Sequence, residues 1–240
     1  MTKDEKITFL SHMDELRKRL MWSAITVAIG AGVSFVFAEQ IIDVMKSVSS
    51  NVELQAIEPT EMLGTYFKLS FICGTALALP VIIYEGVMFL RPALTKKERR
   101  YLYSLLPVSL IAFAGGVVFA YFILLPPAVN FLFDFGSGVA TVEWRISNYI
   151  TMITRMLFAI GLCFELPIVI YFLTRIGILS VEKLSRFRRW AIVLAFLVAA
   201  AITPTFDPIN QTLVAAPLIV LYEVGILLAR IAGRGKKKSD

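Results

Sequence analysis

Histidine occurs once in this 240-residue chain, at His12, and cysteine twice, at Cys73 and Cys163. The two thiols sit in separate apolar runs without the spacing of a metal-binding pair, and they read as small buried hydrophobes. There is no Gly-x-x-x-x-Gly-Lys-[Ser/Thr] loop to cradle a nucleotide. The His-Glu-x-x-His helix and the Gly-x-Ser-x-Gly elbow are missing too. No enzymatic role, cofactor or metal is therefore expected, and any energy must come from a gradient or a partner. The polar N-terminus has no short apolar region with a cleavage site, so no cleaved signal peptide is expected. Internal repeats are not visible, and the one low-complexity tract is Lys236 to Lys238.

What the chain has in excess is apolar sequence. Hydrophobic residues make up 58% of it and the mean hydropathy is +0.75. A soluble domain stays nearer 45–50%, so this protein uses lipid as part of its solvent. The expected architecture is all-α and polytopic: one integral membrane domain over residues 1–240, crossing the bilayer six times.

Ile7, Leu10, Met13, Leu16 and Leu20 recur every three or four positions, which predicts an amphipathic helix over 7–20 at the membrane surface. Within it, Glu15 can pair with Arg19 at the i, i+4 spacing. Spans are expected at about 22–38, 66–90, 103–133, 148–174, 190–203 and 211–229. Pro126-Pro127 should kink or end the third, because proline removes a donor and clashes with the preceding turn. The fifth and sixth are short. The fifth's 14 or so residues cover only about 21 Å at 1.5 Å each, against roughly 30 Å of hydrocarbon. Either these two form a re-entrant hairpin, or they span and the bilayer thins around them.

The cations fix the orientation. All 24 Lys and Arg except Lys46, Lys68, Arg145 and Arg155 fall in the N-terminal segment, the second-to-third loop, the fourth-to-fifth loop or the tail. By the positive-inside rule both termini and both basic loops are cytoplasmic. The opposite side carries acids instead: Glu39, Asp43, Glu53, Glu58 and Glu61 against Lys46.

Three acids, Glu85, Glu165 and Glu223, fall inside the expected spans. An ionised carboxylate there costs several kcal/mol unless it is paired, hydrated or protonated. Glu165 is the deepest. It is either a structural hydrogen-bond partner of another helix or a polar feature of a cavity that a substrate or partner enters. Glu85 and Glu223 lie nearer the cytoplasmic ends, within reach of headgroups and basic loops. Glu98 stands among the five cations of the second-to-third loop. Thr95-Lys96-Lys97-Glu98 has capping-box spacing, so Glu98 is either a helix cap or a receiver for a cationic ligand.

Four separated segments resemble the TatC family, in the family's order and across nearly the whole chain. They are His12-Met13-Asp14-Glu15-Leu16-Arg17-Lys18-Arg19-Leu20; the loop from Phe89-Leu90-Arg91-Pro92-Ala93-Leu94 to Thr95-Lys96-Lys97-Glu98-Arg99-Arg100; Phe164-Glu165-Leu166-Pro167; and Thr203-Pro204 with Asp207 and Gln211-Thr212-Leu213. The resemblance implies six helices in a cupped, glove-like arrangement. It also implies recognition of signal peptides with consecutive arginines on folded exported proteins, assembly with TatA, TatB and further copies of itself, and a proton-motive-force drive. It places signal binding at Glu15, Arg17, Phe89 and Glu98, and an intramembrane polar site at Glu165. Docking of partner helices maps to Thr203 and Gln211, with Asp207 in the far-side loop.

Two rival classes remain. A proton-coupled secondary transporter would use Glu165 as a relay, although no inverted repeat of broken helices is visible. A structural scaffold would ignore the signal's arginines.

Overall fold

The computed structural model describes residues 3–48, 54–90, 96–137, 144–203 and 207–234. Helices dominate: α1 (Lys3–Val36), α2 (Ala38–Lys46), α3 (Pro59–Leu90), α4 (Lys96–Phe119), α5 (Leu125–Ser137), α6 (Ile146–Cys163), α7 (Leu166–Arg175), α8 (Val181–Ile202) and α9 (Pro208–Arg234). Two short strands, β1 (Leu54–Gln55) and β2 (Trp144–Arg145), pair in parallel, with Leu54 opposite Trp144. This strand pair ties together two connectors on the side where α3 and α6 begin.

The surface helix and the first span expected from the sequence form one uninterrupted helix, α1. It packs along α3, and the two backbones touch midway. A Cβ on Gly30 would lie 2.7 Å from the Gly74 carbonyl oxygen, and one on Gly74 would collide with the backbone of Ala31. Only hydrogen fits on either side, as in close small-residue crossings within membranes.

Pro126-Pro127 does not end the third helical stretch. Ala120–Leu124 is a π-helical turn joining α4 to α5, in which the Leu125 N–H donates to Ala120 O. Widening the helix by one residue absorbs the register that two missing donors would break, and the chain continues helical to Ser137. The fourth stretch, in contrast, divides at Phe164 and Glu165. Pro167 sits in the first turn of α7, where its absent N–H costs nothing.

Among the described residues, five stretches are long and apolar enough to cross a bilayer: His12–Val36, Pro59–Phe89, Tyr103–Leu132, Ile146–Arg175 and Pro208–Gly233. The chain is a multi-pass membrane protein. α8 is not among them, because its apolar part begins only at Trp190. α9, at Pro208–Arg234, is longer than the 211–229 apolar stretch, since Asp207-Pro208 starts it early.

The largest core cluster gathers Leu69, Leu125, Val129, Tyr149, Ile150, Ile153, Met156, Ile160 and Val214 from the central helices. Outward faces are apolar as well: Ile29, Val36, Ile111, Phe122, Trp190 and Leu197 are all exposed. In lipid, such exposure is solvation.

α7 ends in a Schellman motif. Gly177 has φ 88°, Ile178 N–H donates to Leu173 O at 2.9 Å, and Gly177 N–H donates to Thr174 O at 3.1 Å. Ser180 then caps α8 by accepting from Lys183 N–H at 3.3 Å. These two devices turn the chain from α7 into α8 at the basic end of the molecule.

Candidate functional site

The N-terminal part of α1 and the C-terminal part of α3 meet at the end where Arg17, Lys18, Arg175, Lys183, Arg186 and Arg189 also lie. Glu15 and Arg19 face α3 from adjacent turns of α1. The Arg19 guanidinium bridges two carboxylates. Its Nε donates to Glu15 Oε1 at 3.1 Å, with Nη2 close to the same oxygen, and Nη1 donates to Glu85 Oε2 at 2.9 Å. The side chains are 20%, 35% and 17% exposed for Arg19, Glu15 and Glu85, so the group is only partly shielded. Beside it the rings of His12 and Phe89 stack with centroids 4.3 Å apart, and His12 Nδ1 stands 4.0 Å from Glu15 Oε2.

The structure therefore brings Glu15 and Phe89 to one place and adds Arg19, Glu85 and His12 to them. Arg17 is exposed on α1. Glu98 lies on the first turn of α4, but its side chain falls outside the described residues, as does Thr95, so the capping box expected there falls outside them too. From sequence alone, Glu85 is expected to reach only headgroups or basic loops. Its partner lies 66 positions away, and helix periodicity carries no such pairing.

The second polar feature is buried between helices. Glu165 is 8% exposed at the α6–α7 turn, and its Oε2 accepts from the Ser109 hydroxyl of α4 at 2.5 Å. Among the described residues its other oxygen has no hydrogen-bond partner. α4 approaches closely here, because a Cβ on Gly116 would lie 2.8 Å from the Phe164 ring and 2.9 Å from Gly161 Cα. The hydrogen bond to another helix anticipated for Glu165 is present, and one oxygen is left over.

At the opposite end, Thr203 is buried, and its hydroxyl donates to Ala199 O at 2.9 Å. Gln211 Nε2 donates to Phe196 O at 3.0 Å, which binds α9 to α8. Asp207 precedes the first residue of α9 and accepts from Asn210 N–H at 2.7 Å and Asn210 Nδ2 at 3.2 Å, as an N-cap does. These three residues cluster around the α8–α9 turn.

Glu61 was not singled out by the sequence beyond its sign. Its carboxylate accepts from Ile57 N–H at 3.0 Å and Ser147 N–H at 3.3 Å, with Arg145 Nε 3.8 Å away. It fastens the start of α3 to the start of α6, next to the β1–β2 pair. A cavity of about 610 Å³ opens between α7, α8 and α9, with Leu166, Ile170, Leu184, Leu194 and Leu218 in its wall and Lys183 near one end. Among the described residues no cluster of His, Cys, Asp and Glu could hold a metal ion.

Comparison with known proteins bears on what this arrangement serves. The family of Sec-independent protein translocase proteins (TatC) matches residues 11–217. A Sec-independent protein translocase protein TatC from Aquifex aeolicus is 40% identical over 233 residues, covering 95% of this chain and 96% of that protein. The chloroplastic TATC of Pisum sativum is 33% identical, covering 96% of this chain and 66% of the longer plant protein. Among solved structures, a crystal structure of the twin-arginine translocase receptor TatC superposes with a TM-score of 0.83. It is 39% identical, with 92% of this chain and 99% of that one covered.

Proposed function

The chain belongs to the TatC family of Sec-independent protein translocase proteins, and from that premise we propose that its basic end receives the paired arginines of export signals. The chain is then a translocase subunit whose cytoplasmic face carries the receiving site, with both termini on that side and α8 completing six crossings in the inner membrane. The observation that carries the reading is the Glu15 carboxylate. It is partly exposed, it stands at the end richest in cations, and it already engages a guanidinium through two nitrogens.

Physical chemistry supports the choice. Guanidinium forks bind carboxylates more strongly than neutral donors do, and most strongly where water is partly excluded. Phe89, stacked on His12 beside the carboxylates, offers apolar surface to the signal's hydrophobic stretch. Glu98, on the first turn of α4, is the second proposed acidic contact, and Arg17 a neighbouring polar one.

Glu165 has a different role in this reading. A carboxylate oxygen without a partner in a buried turn is a docking point for a polar group on a single-span partner helix of the TatA or TatB type. Thr203 and Gln211 would offer a second docking point at the opposite end. Work is drawn from the proton-motive force through the assembled complex. A transporter using Glu165 alone would need a relay of titratable groups, whereas the hydrogen bond described for Glu165 goes to a single serine hydroxyl.

The test is photo-crosslinking of the membrane-reconstituted protein to a signal peptide carrying Arg-Arg or Lys-Lys. Crosslinks near Glu15 and Glu98 that fade with Lys-Lys are expected. Equal labelling by both peptides would move recognition to a partner subunit.

A further inference from the structure

The receiving site of the previous section already has an occupant. Arg19 offers the same chemical group that an incoming arginine would offer, and it lies against the same carboxylate. Its Nε and Nη2 reach Glu15 Oε1, while Nη1 reaches Glu85 Oε2. We infer that Arg19 is an internal stand-in for the signal's arginines, that Glu85 is a second receiving carboxylate beside Glu15, and that an arginine pair binds by displacing Arg19 from both. The inference rests on the proposed recognition of arginine pairs and deepens it.

Charge and geometry support displacement over a fixed structural bridge. Two carboxylates share one cation, so the group carries a negative charge that Arg19 does not cancel. His12, 4.0 Å from Glu15 Oε2, is the other titratable group described against it. A ligand with two guanidinium groups can match both acids where Arg19 matches them with one. The three side chains are 17% to 35% exposed. An incoming guanidinium can therefore reach each acid as Arg19 leaves, so neither carboxylate is left unpaired, the penalty that makes buried ion pairs hard to open. Arg19 also has somewhere to go. It lies one turn from Trp22 near the membrane surface, where a long cationic side chain swings readily towards lipid phosphates.

A resident competitor has a defined thermodynamic consequence. The apparent affinity of any ligand that must displace it is reduced by the fraction of time the site is open. Removing the competitor should tighten binding without changing the preference between ligands that compete for the same open site.

The experiment measures equilibrium binding of Arg-Arg and Lys-Lys signal peptides to the full chain in lipid nanodiscs. Wild type is compared with Arg19→Gln, Lys18→Gln and the double variant Arg19→Gln/Glu85→Gln. Arg19→Gln should bind the Arg-Arg peptide about tenfold more tightly, the scale of one charge-assisted hydrogen bond no longer in competition. The Arg-over-Lys ratio should be kept. Adding Glu85→Gln should reverse most of that gain. Lys18→Gln makes the same change in net charge at an exposed position and should leave binding where it was.

If wild type prefers Arg-Arg but Arg19→Gln binds no better, or if Lys18→Gln tightens binding equally, Arg19 is not a competitor and the inference alone fails. If neither wild type nor Arg19→Gln distinguishes the two peptides, the proposed function fails and takes the inference with it. A direct readout covers the case of a variant that does not fold. In wild type, the side-chain Nε–H resonance of Arg19 should shift towards the solvated position when the Arg-Arg peptide is added. A resonance that stays in place at saturating peptide contradicts displacement.

Discussion

Glu61 and Glu15 are the same residue type at opposite ends of the molecule, and they are held in opposite ways. Glu61 accepts from main-chain N–H groups of Ile57 and Ser147, which belong to a connector and to a helix start. Those donors cannot leave without unfolding their segments. Glu15 accepts from the end of one long side chain, Arg19, which can swing away while α1 and α3 stay packed. A carboxylate fixed by backbone serves architecture, whereas one fixed by a flexible cation can exchange partners. Glu165 stands between them, with one oxygen on a serine hydroxyl and the other without a partner among the described residues.

The comparison can be tested by substitution, and the largest effect should come from the contact that aligns α1 with α3. Gly74→Leu forces apart backbones that now touch at Gly30 and Ala31. Overpacking of this kind costs about 1–3 kcal/mol in an adaptable core and more against main chain. The variant should show a large fall in thermal midpoint in detergent and lose peptide binding as well, because Arg19 and Glu85 no longer meet. Glu61→Gln should come next. Its thermal midpoint should fall clearly, while the affinity of the protein that remains folded for an Arg-Arg peptide is unchanged. A loss of affinity there without a loss of stability would erase the distinction between the two ends.

Smaller effects are expected in the middle of the bilayer and at exposed pairs. Ser109→Ala takes the one described donor from Glu165 and should cost about 1–3 kcal/mol by denaturant or thermal unfolding, the usual penalty for stranding a buried acceptor. Arg188→Gln breaks an exposed pair with Glu223, whose side chains are 42% and 47% exposed at 2.8 Å. Surface pairs contribute about 0–1 kcal/mol, so unfolding should barely move.

How much of this was legible in the sequence depended on whether the signal was local. Helical character, the basic end and the depth of Glu165 follow from runs and periods within a few turns, and family resemblance ordered them. The Glu15–Arg19 pair was readable because four positions make one helical turn. Glu85 as the third member was not, since its partner comes from a helix 66 positions away. The π-helical turn before Pro126-Pro127 and the β1–β2 pair were missed for related reasons. Two adjacent prolines predict a disturbance without saying which way the helix absorbs it. Leu54-Gln55 and Trp144-Arg145 are too short to show alternation. Glu61 looked like one acid among several, because backbone donors leave no mark in side-chain sequence.

The central claim is that the basic end discriminates arginine pairs through exchangeable carboxylates. The most direct measurement is the affinity of the reconstituted chain, without partner subunits, for an Arg-Arg signal peptide in wild type, Glu15→Ala and Glu98→Ala. Both variants should insert normally and bind about tenfold or more weakly, with the Arg-over-Lys preference reduced. Wild-type affinity and preference in both variants would contradict the account, leaving Glu15 as a partner of Arg19 alone and Glu98 as a helix cap.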